Sequence, residues 1–220
     1  MSTDAPELLR DVDAGDGEVS PGALLWRFPA PRRAVSSAPM GGGMGLVTWA
    51  LNVQVPADYG RTDPAAHLRA LSASLGLRGR GVGMLTAVDV AGWRWAVEDG
   101  AAVAVTVGVT RPTWAAAPDD CSDEAVAGVG PGTINVVASV PAVLDDAALV
   151  NAATTVTEAK AQALWDGGVA ATGTASDAVC VVCRAEGPAA GFGGPRSYWG
   201  SRLARVVHRA VLDGLGRTPR

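Results

Sequence analysis

Thr133-Ile134-Asn135-Val136-Val137-Ala138-Ser139-Val140 is rich in valine and threonine and reads as a strand. A long Ala-rich helix follows over residues 145–165, opened by Asp145 and stopped by Gly167-Gly168. The polar loop Ala171-Thr172-Gly173-Thr174-Ala175-Ser176-Asp177 then leads into a second strand, Ala178–Arg184. Small hydroxyls, an amide and two carboxylates thus gather at the ends of regular elements, where a rigid scaffold usually presents reactive groups. Gly130-Pro131-Gly132, just before the first strand, allows the chain a tight approach to it.

Outward from this stretch, further strands are expected near 23–28, 46–54, 82–88, 93–98 and 102–109, several of them bounded by Gly or Pro. Asp99-Gly100 signals a tight hairpin between two of them. Asp63-Pro64 caps a helix with Leu68, Leu71 and Leu75 on one face and Gly76 at its end. A third helix spans 197–212, with an apolar stripe of Leu203, Val206, Val207, Ala210 and Val211. The expectation is an α+β or layered α/β domain over residues 21–220, with a mixed, largely antiparallel sheet and about three main helices. This pattern fits better than a strict βαβ repeat. Residues 1–20, acidic and with little apolar periodicity, read as a loose tail.

With 48% hydrophobic and 18% charged residues, the chain has ample material for a core and is not a disordered one. A net charge of −4 leaves no electrostatic footprint for nucleic acid. No run approaches the roughly 18–20 apolar residues of a membrane span. The acidic start is the reverse of a signal peptide, so the cytoplasm is the expected compartment. Cys121, Cys180 and Cys183 are too few for a disulfide framework. Cys180 and Cys183 stand three apart on a strand and face opposite sides, so no metal site is expected there.

On the long helix, Asn151, Thr154, Glu158 and Gln162 share one face, and Lys160 lies about 200° around the axis from Glu158. The stripe is either a solvated surface or, given its weak helix formers, the wall of a polar cavity in which Glu158 acts as a general base. Thr172, Thr174, Ser176 and Asp177 form either a capped turn or a holder for a polar or anionic group. Asn135 offers a donor and an acceptor beside Thr133. Ser36-Ser37-Ala38-Pro39-Met40-Gly41-Gly42-Gly43 is a flexible loop or a place of close backbone approach to a large ligand, without a phosphate-loop or dinucleotide fingerprint. Asn52 interrupts an apolar strand. His67 is expected to be exposed, and His208 to be a half-buried structural histidine or an orienter of a base. Seven tryptophans offer core filling or flat surfaces for a planar ligand.

Several of these segments, in order, resemble the adenosylcobinamide amidohydrolase (CbiZ) family. They are Ser36-Ser37-Ala38-Pro39 with Gly41-Gly42-Gly43, and Asn52-Val53-Gln54-Val55-Pro56 with Asp58-Tyr59. Met84-Leu85-Thr86-Ala87 with Asp89, Thr106-Val107-Gly108 and Pro131-Gly132-Thr133-Ile134-Asn135 follow. The last are Thr157-Glu158-Ala159-Lys160-Ala161-Gln162-Ala163-Leu164 and Ala171-Thr172-Gly173-Thr174 with Asp177. The resemblance implies hydrolysis of the amide between the aminopropanol arm and a corrin-ring propionate of cobinamide, giving cobyric acid for corrinoid salvage. No cofactor is implied beyond the substrate's own cobalt.

For such a reaction, chemistry assigns Glu158 as base, Asp177 or His208 as its orienter, and Asn135 with backbone amides as the oxyanion site. A competing scheme makes Thr133 a nucleophile, exposed by cleavage after Gly132. Ser36, Ser37, Gly42, Asn52, Asp89, Lys160, Thr172 and Thr174 are the expected contacts to the corrinoid. A non-catalytic corrinoid-binding protein and an amidase for an unrelated small substrate are the alternatives, and a homo-oligomer is left open.

Overall fold

The computed structural model describes residues 5–14, 19–118 and 132–217. Strand β2 (Val19–Ser36) organises the sheet, because its two halves have different neighbours. The first half pairs antiparallel with β1 (Glu7–Asp13) on one side and β3 (Gly43–Gln54) on the other. The second half keeps β3 but exchanges β1 for β9 (Ala178–Arg184). The register shifts between Arg27 and Arg32, across Phe28-Pro29-Ala30-Pro31. Pro29 and Pro31 have no N–H to give a ladder, so the strand bends there.

Among the described residues the main sheet has eight strands, ordered β4-β3-β2-β9-β7-β6-β5 with β1 on the flank of β2. The remaining members are β4 (Gly81–Thr86), β5 (Arg94–Glu98), β6 (Ala101–Val107) and β7 (Ile134–Ser139). A two-residue parallel pair, β8 (Val143–Leu144) with β10 (Ala189–Ala190), stands apart. The expected mixed sheet and three helices are present. Its two parallel pairings, β3 with β4 and β7 with β9, are each spanned by a helix. These helices are α1 (Pro64–Ser74) and α2 (Asp146–Asp166), so two βαβ crossovers sit inside a largely antiparallel sheet. Helix α3 (Tyr198–Gly214) closes the chain order.

Helix termini follow the expected chemistry. The Asp63, Asp145 and Ser197 side chains accept hydrogen bonds from Ala66, Ala148 and Gly200 amides, each worth about 1 kcal/mol. Asp99 and Gly100 both take positive φ, 46° and 90°, as a tight turn between β5 and β6 requires. Helices α2 and α3 cover one face of β6, β7 and β9 through Leu149, Val156, Leu164, Leu203, Val206 and Val207 against Val103, Val105, Val136 and Val181. Each such side chain contributes about 1.5–3 kcal/mol of burial. Helix α1 packs Leu68 and Leu71 on Leu25, Leu51 and Val53.

The other face forms a third core, in which Leu24, Ala50, Val82 and Met84 share a cluster with Ala104, Val137, Cys180 and Val182. Strands from both ends of the sheet therefore meet across one interior. Asn52 of β3 donates to Thr106 Oγ1 of β6 at 3.1 Å, and Asn135 of β7 donates to Leu85 O of β4 at 2.9 Å. The sheet curls until its halves face one another. Met40 pairs with Gly83 of β4, and a Cβ at Gly41 (φ 71°) would stand 1.9 Å from Gly81 O.

Two expectations are corrected. Residues 7–13, read as loose tail, form β1 on the long strand β2, and Leu9 and Val12 reach the core beside α1 on either side of Asp11, whose φ is 51°. His67 is buried rather than exposed, stacked on Tyr59 with its Nδ1 3.0 Å from the Tyr59 hydroxyl.

Cys180 lies in the interior core and Cys183 in the α2–α3 core, on opposite faces of β9. Burial pushes the Cys180 thiol up to about 12 and also raises Cys183. Since the thiolate is the reactive form, a thiol reagent at pH 8 should titrate at most one group in the native protein and all three after unfolding. Rapid native reaction of two or more thiols would contradict this packing. Cys121 lies outside the described residues.

Candidate active site

Helix α2 buries Ala148, Leu149, Ala152, Val156, Ala159, Ala163 and Leu164, and Lys160 falls on that same apolar face. Lys160 is 5% exposed and, among the described residues, is the single Asp, Glu, Lys or Arg in the buried class. An ammonium taken out of water requires a counter-charge. Asp177, at the entry to β9 and with its side chain 9% exposed, provides it through Oδ2. Asp177 also accepts from the Thr174 amide on Oδ2 at 3.0 Å, and from Thr174 Oγ1 and the Ile134 amide on Oδ1 at 2.5 and 2.8 Å. One carboxylate therefore joins the 172–177 loop, the start of β7 and α2. A Cβ at Gly173 would lie 2.4 Å from Asp177 Oδ2 and 2.5 Å from Lys160 Nζ, so only glycine lets the loop close over the pair.

Beside this pair, Thr133 Oγ1 and Ser176 Oγ share a 2.7 Å hydrogen bond. Thr133 is buried and Ser176 exposed, so the hydroxyl pair reaches from the interior to the surface. Two other loops border it. The Gly108 amide donates to Thr133 O at 3.0 Å, and a Cβ at Gly108 would meet Val88 of the loop after β4 at 2.2 Å. Thr113 pairs with Gly173 as an isolated bridge, and the Ala115 amide donates to Thr172 Oγ1 at 2.9 Å.

The structure gives most other expected residues bonds within the protein. Asn135 donates through Nδ2 to Asn52 Oδ1 and Leu85 O at 2.8 and 2.9 Å, and accepts from the Ala178 amide at 3.2 Å. Both of its donors are thereby committed. Ser36 Oγ donates to Val179 O at 2.9 Å, and Ser37 Oγ accepts from the Val179 amide at 3.0 Å. Gly42 O accepts from Arg80 at 3.1 Å, and Asp89 caps a short 3-10 turn through the Ala91 amide at 2.9 Å. Thr172 and Thr174 brace the loop as described.

Glu158 is not brought to this cluster. It is exposed, as are Asn151, Thr154 and Gln162, so that stripe faces outward instead of lining an enclosed cavity. Thr154 and Thr157 donate their hydroxyls back to Val150 and Ala153 carbonyls at 3.3 and 3.0 Å. That local bonding lets threonines sit on a solvent-facing helix. Asp177 is bonded to Lys160 rather than to Glu158. His208 Nε2 lies 2.8 Å from Asp166 Oδ2 and ties α3 to the end of α2. Gly130 and Pro131 fall outside the described residues. Sequence reasoning undervalued Lys160, although Val156, Lys160 and Leu164 repeat at the four-residue spacing of one buried face.

A cavity of about 780 Å³ opens elsewhere, lined by Trp26, Phe28, Trp95, Ser139 and Arg184 among others. It lies at the far ends of β7 and β9. Its nearest lining residue on β7, Val137, is four residues from Thr133, about 13 Å at the usual rise per residue. None of the segments that resemble the amidohydrolase family lines it. The chemical groups gather at the Lys160–Asp177 end.

Replacing Lys160 with Met leaves Asp177 buried without its cation, and should cost about 3–5 kcal/mol. Urea unfolding read by tryptophan fluorescence checks this, and a variant as stable as the parent would show the pair to be energetically idle.

Comparison with known proteins matches the same span. The adenosylcobinamide amidohydrolase family profile covers residues 6–219. An adenosylcobinamide amidohydrolase of Methanosarcina mazei is 29% identical over 191 residues, 83% of this chain and 89% of the relative. One of Halobacterium salinarum is 38% identical over 117 residues, 52% of this chain and 49% of the relative. With nearly every described residue inside the matched span, the chain belongs to the adenosylcobinamide amidohydrolase family.

Proposed function

We propose that this protein hydrolyses the amide between the aminopropanol arm and the corrin-ring propionate of adenosylcobinamide, yielding adenosylcobyric acid for cobalamin synthesis. The observation that carries the reading is a convergence. Gly132-Thr133, Gly108, Lys160, and Thr172 to Thr174 with Asp177, from separate family-like segments, meet around one buried ion pair and the Thr133–Ser176 hydroxyl pair. The reading needs no protein-held metal or cofactor, since the cobalt arrives with the substrate. It sets the enzyme in the cytoplasm, alone or as a homo-oligomer, without nucleic acid. No helix of the described residues is long and apolar enough to cross a membrane.

Addition of water to the amide carbon places negative charge on the carbonyl oxygen, which pre-positioned donors stabilise. An ammonium has three N–H donors, and among the described residues Lys160 spends one on Asp177. The others are available to that oxygen. Thr133 and Ser176 hold the attacking water and relay one of its protons to the nitrogen. The C–N bond then breaks, aminopropanol leaves as the amine, and the water oxygen stays on the corrinoid as its new carboxyl group. Glu158 has no part in this scheme, because it points about 200° away from Lys160. Asn135 holds β7 to β3 and β4.

A second reading makes Thr133 Oγ1 the nucleophile, favoured by its bond to Ser176, which can take up the hydroxyl proton. If that route requires cleavage after Gly132, active enzyme will show two fragments. Direct water attack predicts one species of 22.2 kDa by intact mass spectrometry.

Incubation with adenosylcobinamide should release aminopropanol and a cobyric acid product, both detected by mass spectrometry. Ser176→Ala should lower kcat about 100-fold, while Glu158→Gln should retain turnover within about twofold of the parent. Loss of turnover in Glu158→Gln would restore that carboxylate as the base. Tight corrinoid binding without release of aminopropanol would make the protein a binder.

A further inference from the structure

Trp114 and Trp165 are 45% and 66% exposed, and their rings lie 6.3 Å apart at 58°. An exposed indole leaves a large apolar surface in water, and here two such surfaces adjoin. Their position is set by the loop that closes over the ion pair. Thr113 donates its amide to Gly173 O at 2.8 Å, and the Thr172 amide donates to Thr113 O at 3.1 Å. Trp114 is the next residue along that latch. Gly173 is packed directly against Lys160 and Asp177. Trp165 comes from the last turn of α2, the helix that carries Lys160.

We infer that Trp114 and Trp165 form an aromatic wedge that seats the corrin macrocycle while its amide arm reaches Lys160, Thr133 and Ser176. This inference rests on the amidohydrolase reading of the site. The reacting amide is joined to the ring by one short propionate arm, so the macrocycle must lie beside the reacting groups. The cavity toward the far end of β7 is lined by none of the segments that resemble the family, whereas Trp165 directly follows one of them. The wedge adjoins the site and has the chemistry of the ligand. One indole supports a broad, planar, conjugated face, and the other, tilted by 58°, closes on its rim. Aromatic pairs favour such offset and edge contacts. The polar loop of Thr113 and Thr172 lies next to the ring's peripheral amides.

The test uses the full chain, with Trp114→Ala, Trp165→Ala and the corresponding Phe variants. Steady-state kinetics with adenosylcobinamide are paired with equilibrium dialysis against cobyric acid, which carries the ring but lacks the scissile amide. Each Ala variant should raise KM and the cobyric acid Kd about tenfold, the size of one aromatic stacking contact. The kcat should stay within about twofold, and the Phe variants should recover most of the loss. Phe192→Ala, an 80% exposed aromatic beside the opposite end of α2, should change neither constant. Unchanged KM and Kd in both Ala variants of an active enzyme overturn the wedge and leave the amidohydrolase reading standing. A parent protein that binds cobyric acid but cleaves nothing overturns that reading, and the dialysis series still decides the wedge. A parent that neither binds nor cleaves overturns both.

Discussion

A buried ammonium against a buried carboxylate sets the terms for this site. Lys160 cannot stay among Val156, Ala159 and Leu164 without Asp177, and Asp177 cannot stay at the entry of β9 without its donors. Satisfying both groups fixes where α2 ends relative to the sheet and how the 172–177 loop folds. It also fixes how closely the loop approaches β7, because the Ile134 amide is one of the four donors. Thr133 and Ser176 then meet as a consequence, being the residues immediately before Ile134 and Asp177. The hydroxyl pair owes its geometry to the ion pair beside it.

A second polar network lies inside the sheet. Asn52, Thr106 and Asn135 lie inside the curl of the sheet, where leaving an amide unbonded would cost more than the bond returns. They bond to one another and to Leu85 O, which holds β3 and β4 over β6 and β7. Residues of this kind look chemically useful in a sequence. Here their capacity is taken up by joining the two halves of the sheet.

The elements with strong local signals were legible. Val- and Thr-rich runs marked most of the seven strands, and Asp63, Asp145 and Asp99-Gly100 marked helix starts and a turn whose geometry depends on neighbouring residues alone. Strand β1 was not legible, since Glu7, Arg10, Asp11 and Asp13 leave it no apolar alternation, and pairing with the long partner strand is what makes it a strand. At the site, Thr133 and the loop of Thr172 to Asp177, read from the sequence as polar groups at element ends, lie in contact. Glu158 drew attention because Asn151 and Thr154 are weak helix formers, yet their neighbours satisfy such threonines by bonding back along the helix. Which face of α2 meets the sheet is decided by tertiary packing, and that choice buries Lys160 and exposes Glu158.

The bent strand β2 also shapes how the molecule comes together. Its second half must wait for β9, whose partner residues Cys180 to Arg184 lie almost 150 positions later in the chain. Pairings between such distant segments form slowly, because the intervening chain must be ordered first. As a nascent chain emerges, the edge from Arg32 to Ser36 stands open with its backbone donors unused, and an open edge invites another chain. The loop that carries Asp177 enters with β9. The reacting groups and the closure of the sheet are therefore completed in the same late step.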